Sequence, residues 1–250
     1  MERNYIRSVR LSSQIEGDSY LNHLPVVHYL KQMKELSFSK AVTFLVGENG
    51  TGKSTLLEAI AVAYGFNPEG GTRNFHFTTS STHSDLYRHL TLAQSAYPRN
   101  GYFLRAESFY NAASYLDEIY DAEFREQRNT SYGDRSLHEQ SHGESFLSLV
   151  RNRFGGNGIY LLDEPEAALS PTRLMTLIAH IHELVRENSQ FIIATHSPIL
   201  MAYPGAEVYQ LSEQGICSMD YRDTEHYQLT RCFLENPEKM LHYLLEEDKL

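Results

Sequence analysis

Tryptophan is absent from the 250 residues, and cysteine occurs only as Cys217 and Cys232. Two thiols so far apart build neither a zinc ribbon nor a disulfide framework, so two reduced cysteines in a reducing cytoplasm are expected. Long apolar runs are missing too. Stretches such as 41–46 fall far short of the ~20 residues a membrane helix needs. The opening Met1-Glu2-Arg3-Asn4-Tyr5-Ile6-Arg7 is charged where a secretory signal is apolar. A cytoplasmic chain with no membrane insertion is therefore expected. Positive charge is in short supply: 22 Lys and Arg face 32 Asp and Glu, a net charge of −10. Such a surface repels a phosphate backbone at long range and disfavours non-specific nucleic-acid binding. Arg151 and Arg153 remain as a local basic patch, and the sequence does not decide whether DNA is touched. Glycine (15) and proline (8) stand at ordinary levels, with no triplet, heptad or longer repeat. Collagen-like, coiled-coil and low-complexity classes are excluded.

What remains is an α/β domain with a subdomain. A chain of this length buries roughly 70–75% of its unfolded surface and holds a core without a metal or disulfide. Residues 5–11 and 41–46 are rich in β-branched and apolar side chains, and the second run is continuous, as in a strand buried on both faces. It leads into Gly47-Glu48-Asn49-Gly50-Thr51-Gly52-Lys53-Ser54-Thr55, after which Leu56, Leu57, Ile60 and Ala61 recur at helical spacing up to Gly65. Between 66 and about 140, polar and turn-forming residues dominate. One strand is expected at 102–104, with loops near Gly70-Gly71 and at 129–133. Beyond them the pattern predicts a helix from Glu144, a turn at 155–158, a strand at 159–162, a helix at 174–185 and a strand at 191–194. Strands alternating with helices predict a mostly parallel sheet with flanking helices. The expected division is a nucleotide-binding core over 1–65 and 144–210, an inserted smaller subdomain over 66–143, and a C-terminal extension over 211–250.

The stretch 47–54 matches G-x-x-x-x-G-K-[ST], which a chain of this composition produces by chance about 0.003 times. A buried strand before it and a helix after it are what the motif needs. The amides of Gly47, Asn49, Gly50, Thr51 and Gly52, with the helix start at Thr55, cradle the β- and γ-phosphates. Lys53 neutralises phosphate charge, and the Ser54 hydroxyl is a ligand for Mg²⁺. Ile159-Tyr160-Leu161-Leu162 then delivers Asp163 and Glu164 to the carboxyl end of a strand, the edge where open α/β sheets bind ligands. Asp163 suits a second Mg²⁺ ligand, and Glu164 suits the base that polarises a water. Upstream, Ser141-His142-Gly143-Glu144 can cap a helix and offer amides and a hydroxyl to an anion. Downstream, Thr195-His196-Ser197-Pro198 follows another strand.

In this order and spacing, 47–54, 141–144, Leu162-Asp163-Glu164-Pro165-Glu166-Ala167-Ala168-Leu169-Ser170 and 195–197 resemble the Walker A, signature, Walker B with D-loop, and switch-histidine motifs of the ATP-binding-cassette ATPase superfamily. The likeness spans roughly 5–210. Its wording is most similar to stand-alone bacterial AAA family ATPases with cassette-type heads, related to the heads of chromosome-maintenance and break-repair ATPases. The resemblance implies a P-loop NTPase core of ABC-ATPase type and a homodimer sandwiching two ATP. Ser141 and Gly143 would reach the γ-phosphate held by the opposite Lys53, His196 would sense that phosphate, and Glu164 would position the attacking water. Three features depart from the pattern. The signature reads Ser-His-Gly-Glu where Ser-Gly-Gly-Gln is common, Ser170 stands where the D-loop usually has Asp, and Glu107 is the nearest substitute for a Q-loop glutamine. No aromatic beyond Tyr5 offers itself for adenine stacking.

Other chemistries find less support. Of the 12 histidines, the close pair His180 and His182 lies two apart on a helix and shares no face, so no zinc site is expected. No G-x-S-x-G elbow supports a serine hydrolase. An ATPase that gates or drives a partner is the leading expectation. Its alternatives are a slow or non-hydrolysing ATP-sensing switch that recruits an effector such as a nuclease, the ATP-binding subunit of a transporter, and a small-molecule kinase.

Overall fold

A computed structural model describes residues 4–73, 84–105 and 142–245, with only the backbone of His142. Two sheets organise it. The larger has six strands in the order β5 (Asn100–Arg105), β6 (Gly158–Asp163), β7 (Gln190–Ala194), β3 (Val42–Val46), β8 (Glu207–Ser212) and β9 (Gly215–Ser218). The first five are mutually parallel, and only the β8–β9 hairpin is antiparallel. The smaller sheet is antiparallel, with β1 (Ile6–Leu11) between β2 (Leu36–Ser37) and β4 (Leu90–Gln94).

Both faces of the large sheet are covered, which is why its strands read as continuous apolar runs. Alternate residues serve opposite layers. Leu45, Phe103, Leu161 and Ile192 join one core with β1, α1 (Pro25–Gln32) and α2 (Lys53–Tyr64). Phe44, Leu104, Leu162 and Ile193 join the other with α3 (His142–Arg153) and α4 (Pro171–Arg186). Each buried Leu, Ile or Phe of these layers contributes about 1.5–3 kcal/mol. Between the two sheets lies α2, buried almost all round through Leu56, Leu57, Ala59, Ile60 and Ala61, and stopped by Gly65 in the left-handed conformation. Buried Gln190 joins the two sheets: its Oε1 accepts from Ile6 N at 2.9 Å and its Nε2 donates to Ile6 O at 2.8 Å.

The mostly parallel sheet agrees with the expectation, as do the strands at 42–46, 100–105, 158–163 and 190–194 and the helices that follow the glycine loop and Ser170. Strands β4 and β5 lie in the stretch read as an insert, yet they pair with β1 and β6 and are built into the two sheets. At the other end, β8 and β9 carry the main sheet on to Ser218, so part of the stretch read as an extension is core. After β7 comes the short α5 (Pro198–Met201), and beyond Ser218 a 3₁₀ turn (Tyr221–Asp223) leads into α6 (Glu225–Glu235) and α7 (Pro237–Leu245). The loop at 129–133 lies outside the described residues.

Candidate functional site

Strand register brings the chemistry together. Leu45 pairs with Ala194 and Ala194 with Asp163, so adjacent β3, β7 and β6 end at one level of the sheet. The glycine loop leaves β3, Asp163 and Glu164 close β6, and Thr195 and His196 follow β7. Three segments far apart in sequence therefore meet at one carboxyl edge.

The loop has the backbone its glycines allow. Gly47, Gly50 and Gly52 have φ of 142°, 84° and 89°. A Cβ at Gly47 would strike the carbonyl of Leu211 on β8, and one at Gly52 would stand 2.9 Å from Val26 on α1. Both positions demand glycine by conformation and by space. The loop closes on itself through Thr51, whose Oγ1 donates to Glu48 O at 2.9 Å. Asn49 points to solvent and Thr55 is half-buried on the first turn of α2.

Lys53 is 3% exposed, and its Nζ donates to Gly47 O at 2.8 Å and Glu48 O at 2.9 Å. Burial holds its pKa below the usual lysine value, against the pull of Glu164, Asp163 and Glu48. The hydrogen bonds given for this ammonium go to two neutral carbonyls, so an anion at the loop gains a charge-assisted partner there. Beside it Ser54 Oγ donates to Asp163 Oδ1 at 2.9 Å. Asp163 is itself 7% exposed, with Arg105 Nε 3.7 Å from its second oxygen and Arg105 bonded to Glu58 Oε2 at 2.5 Å. A hydroxyl and a carboxylate oxygen so paired are hard donors suited to Mg²⁺.

Glu164 sits in the left-handed region, φ 48° and ψ 52°, which costs a residue with a Cβ about 1 kcal/mol or more. Its amide donates to Ala194 O at 2.9 Å, and its carboxylate lies 3.4 Å from His196 Nε2. The strained turn thus aims a half-exposed carboxylate at the end of β7. Burial, with Lys53 and His226 nearby, lowers the His196 pKa below the ordinary histidine value and favours the neutral ring.

Two residues outside the expected site complete it. Glu166 Oε1 accepts from Thr195 Oγ1 at 2.7 Å and from His196 N at 2.5 Å, fastening the turn after β7 to the turn after β6. Burial raises its pKa above the usual carboxylate value, against three hydrogen bonds that lower it. The other is His226 on α6, whose Nε2 lies 3.1 Å from His196 Nδ1 and 3.3 Å from Gly47 O. Glu166 stands inside the sequence motif without an assigned part. His226 belongs to no motif, and only the folded chain brings it here.

The remaining expected positions fall elsewhere. Ser141 and Glu107 lie outside the described residues, as does the His142 side chain. Gly143 is buried at the start of α3, where an added Cβ would meet Arg173 and Ala168 O. Arg173 also bonds Glu144 Oε1 at 3.0 Å. Ser170 caps α4, its Oγ accepting from Arg173 N at 3.4 Å, which gives a serine there a structural task. Tyr5 is a core residue, 4% exposed, with its hydroxyl donating to Asn188 O at 3.1 Å. It offers no face to an adenine.

The chain is also similar to known proteins. A model described as "AAA domain" matches residues 27–146, and one described as "AAA domain, putative AbiEii toxin, Type IV TA system" matches 100–202. Together they enclose the glycine loop, Asp163, Glu164 and His196. An uncharacterized ABC transporter ATP-binding protein of Haemophilus influenzae is 25% identical over 185 residues, 68% of this chain and 69% of that protein. ABC transporter G family member STR2 of Medicago truncatula is 25% identical over 171 residues, 63% of this chain but only 24% of that protein. Among solved structures, a nucleotide-free ATP-binding cassette from an ABC transporter superposes with a TM-score of 0.51 at 17% identity, over 97% of this chain and 99% of that one. The fold is that of an ABC ATPase cassette.

Proposed function

We propose that this chain, which fits an ATPase head of AAA/ABC type, binds ATP with Mg²⁺, hydrolyses it to ADP and phosphate, and closes with a second copy around two nucleotides to gate or drive a partner. One observation carries the reading: Lys53, the Ser54–Asp163 pair and the Glu164–His196 pair converge at the carboxyl edge of three adjacent parallel strands. A triphosphate needs a cationic cradle, a metal-binding hydroxyl and carboxylate, and a base beside the terminal phosphate.

Each residue has a chemical task. Loop amides and the start of α2 accept the phosphate chain, and Lys53 exchanges its two carbonyl partners for phosphoryl oxygens. Ser54 and Asp163 would hold Mg²⁺, which when bound screens charge on the β- and γ-phosphates. Glu164 orients a water and withdraws its proton, and His196 offers a hydrogen bond at the terminal phosphate. Ser141 and Gly143 act from the facing copy. This last assignment follows from the motif order, and cassette architecture supports it.

The test pairs turnover with assembly. Wild type should release phosphate from ATP with Mg²⁺, and Lys53→Ala should not. Glu164→Gln should accumulate as an ATP-bound dimer in size-exclusion chromatography with light scattering. A monomer at saturating ATP and Mg²⁺ would remove the two-copy sandwich, and binding without turnover would leave an ATP-sensing switch. Running the same assays with and without DNA decides whether DNA is among the partners.

The name of the Haemophilus relative favours a second reading, the ATP-binding subunit of a transporter. Among the described residues no helix is long and apolar enough to cross a membrane. Co-purification with an integral membrane partner would support it.

A further inference from the structure

His226 enters the site from α6, whose first turn is firmly anchored. Fully buried Thr224 caps it, accepting from Tyr227 N at 3.4 Å while its hydroxyl donates to Tyr221 O at 2.6 Å. The imidazole meets that of His196 edge-on, with ring centroids 4.7 Å apart and planes at 77°. Its Nε2 therefore faces two atoms at once, His196 Nδ1 at 3.1 Å and Gly47 O at 3.3 Å.

This three-way contact has one self-consistent placement of hydrogens. A carbonyl oxygen only accepts, so His226 Nε2 carries the hydrogen; a bare nitrogen there would turn its lone pair on Gly47 O. The carbonyl has a lone pair left for it beside the one that Lys53 Nζ uses at 2.8 Å. With the N–H on His226, His196 Nδ1 is left as the acceptor, and the hydrogen of the neutral His196 ring stands on Nε2. That is the nitrogen 3.4 Å from Glu164 Oε1. A partner at one ring nitrogen setting the proton on the other is a general way to orient an imidazole.

We propose that His226 is a positioning residue that holds His196 in the Nε2–H tautomer, so that the ring presents a donor at the phosphate end of the glycine loop. The opposite tautomer would turn a lone pair towards an anionic oxygen and repel it. The catalytic consequence rests on the ATPase reading above, whereas the tautomer is a property of the nucleotide-free protein. Helix α6, through a contact 179 residues from Gly47 in sequence, thereby becomes part of the nucleotide site.

Side-chain nitrogen NMR of the nucleotide-free protein at mildly alkaline pH reads the tautomer directly. His196 should be protonated at Nε2 in wild type and in His226→Gln, whose amide keeps a donor at similar reach, and should become a tautomer mixture in His226→Phe. An Nδ1-protonated His196 in wild type, or an unchanged tautomer in His226→Phe, overturns the proposal. In turnover assays His226→Phe should lose about tenfold in kcat with KM moved less than about twofold, and His226→Gln should recover to within about threefold of wild type. Equal losses in the two variants would mean a merely structural ring and overturn the proposal as well. A wild type without ATP turnover overturns the ATPase reading alone, because the wild-type spectrum still decides the tautomer.

Discussion

Ser54 Oγ donates to Asp163 Oδ1 across 2.9 Å, joining residues 109 apart in the chain at the end of two strands that sandwich a third. The bond sets a hydroxyl and a carboxylate oxygen side by side beside the buried ammonium of Lys53. If that pair is the Mg²⁺ site, Ser54→Ala and Asp163→Asn should abolish the gain in ATP affinity that Mg²⁺ confers. A fluorescent ATP analogue titrated with and without Mg²⁺ should show a gain of about tenfold, or about 1.4 kcal/mol, in wild type and almost none in either variant.

Glu164 and His196 make a second pair, and the strained backbone at Glu164 gives it a purpose beyond packing. Glu164→Gln keeps the shape but removes the proposed base, so phosphate release should fall by about 10²–10⁴, the contribution typical of a positioned general base. ATP affinity measured by equilibrium titration should stay within about threefold of wild type, because in the proposed mechanism the carboxylate acts on water and not on the triphosphate. A turnover loss mirrored by an equal affinity loss would place Glu164 in binding instead.

Much of this site was legible in local sequence. The continuous run at 41–46 marks a strand buried on both faces, and the glycine spacing after it has few physical uses, so the loop and α2 follow almost of necessity. Asp163 and Glu164 are readable for the same reason, as carboxylates at the end of an apolar strand. Pairing partners were not legible. Nothing in the pattern at 6–11 says that it joins an antiparallel sheet with 90–94, since alternation records burial and not the identity of the neighbour. Tyr5 reads equally as a stacking platform or a core residue until its hydroxyl is seen on Asn188 O. His226 was invisible, because no spacing rule links a histidine on α6 to the loop after β3.

Glu58 and Arg105 form an ion pair in which the carboxylate is 6% exposed, and Arg105 also leans on Asp163. Removing the cation strands a buried charge, which costs more than the pair itself is worth. Arg105→Ala should therefore destabilise the fold by about 2 kcal/mol, discounted because the guanidinium is partly solvated, and lower Tm by about 6 °C in calorimetry. Adding Glu58→Gln should restore part of the loss. Full additivity of the two changes would refute the coupling.

Buried Glu166 gives stability a pH dependence of definite sign. Its second oxygen, Oε2, has no hydrogen-bond partner among the described residues, and burial raises its folded pKa above the unfolded value near 4.5. The folded state therefore holds the proton more tightly, and stability falls as pH rises from about 4.5 through the raised folded pKa, above which the full cost of a buried charge is present. Glu166→Gln removes the charge while its amide oxygen can still accept from Thr195 and His196 N. Thermal unfolding across pH 4 to 8 should show the Tm of wild type relative to Glu166→Gln declining as pH rises and levelling off above the folded pKa. Both proteins carry every other titrating group, so subtracting the curves isolates this carboxylate. A difference that stays flat across the range would mean that the hydrogen bonds from Thr195 and His196 N fully offset the burial.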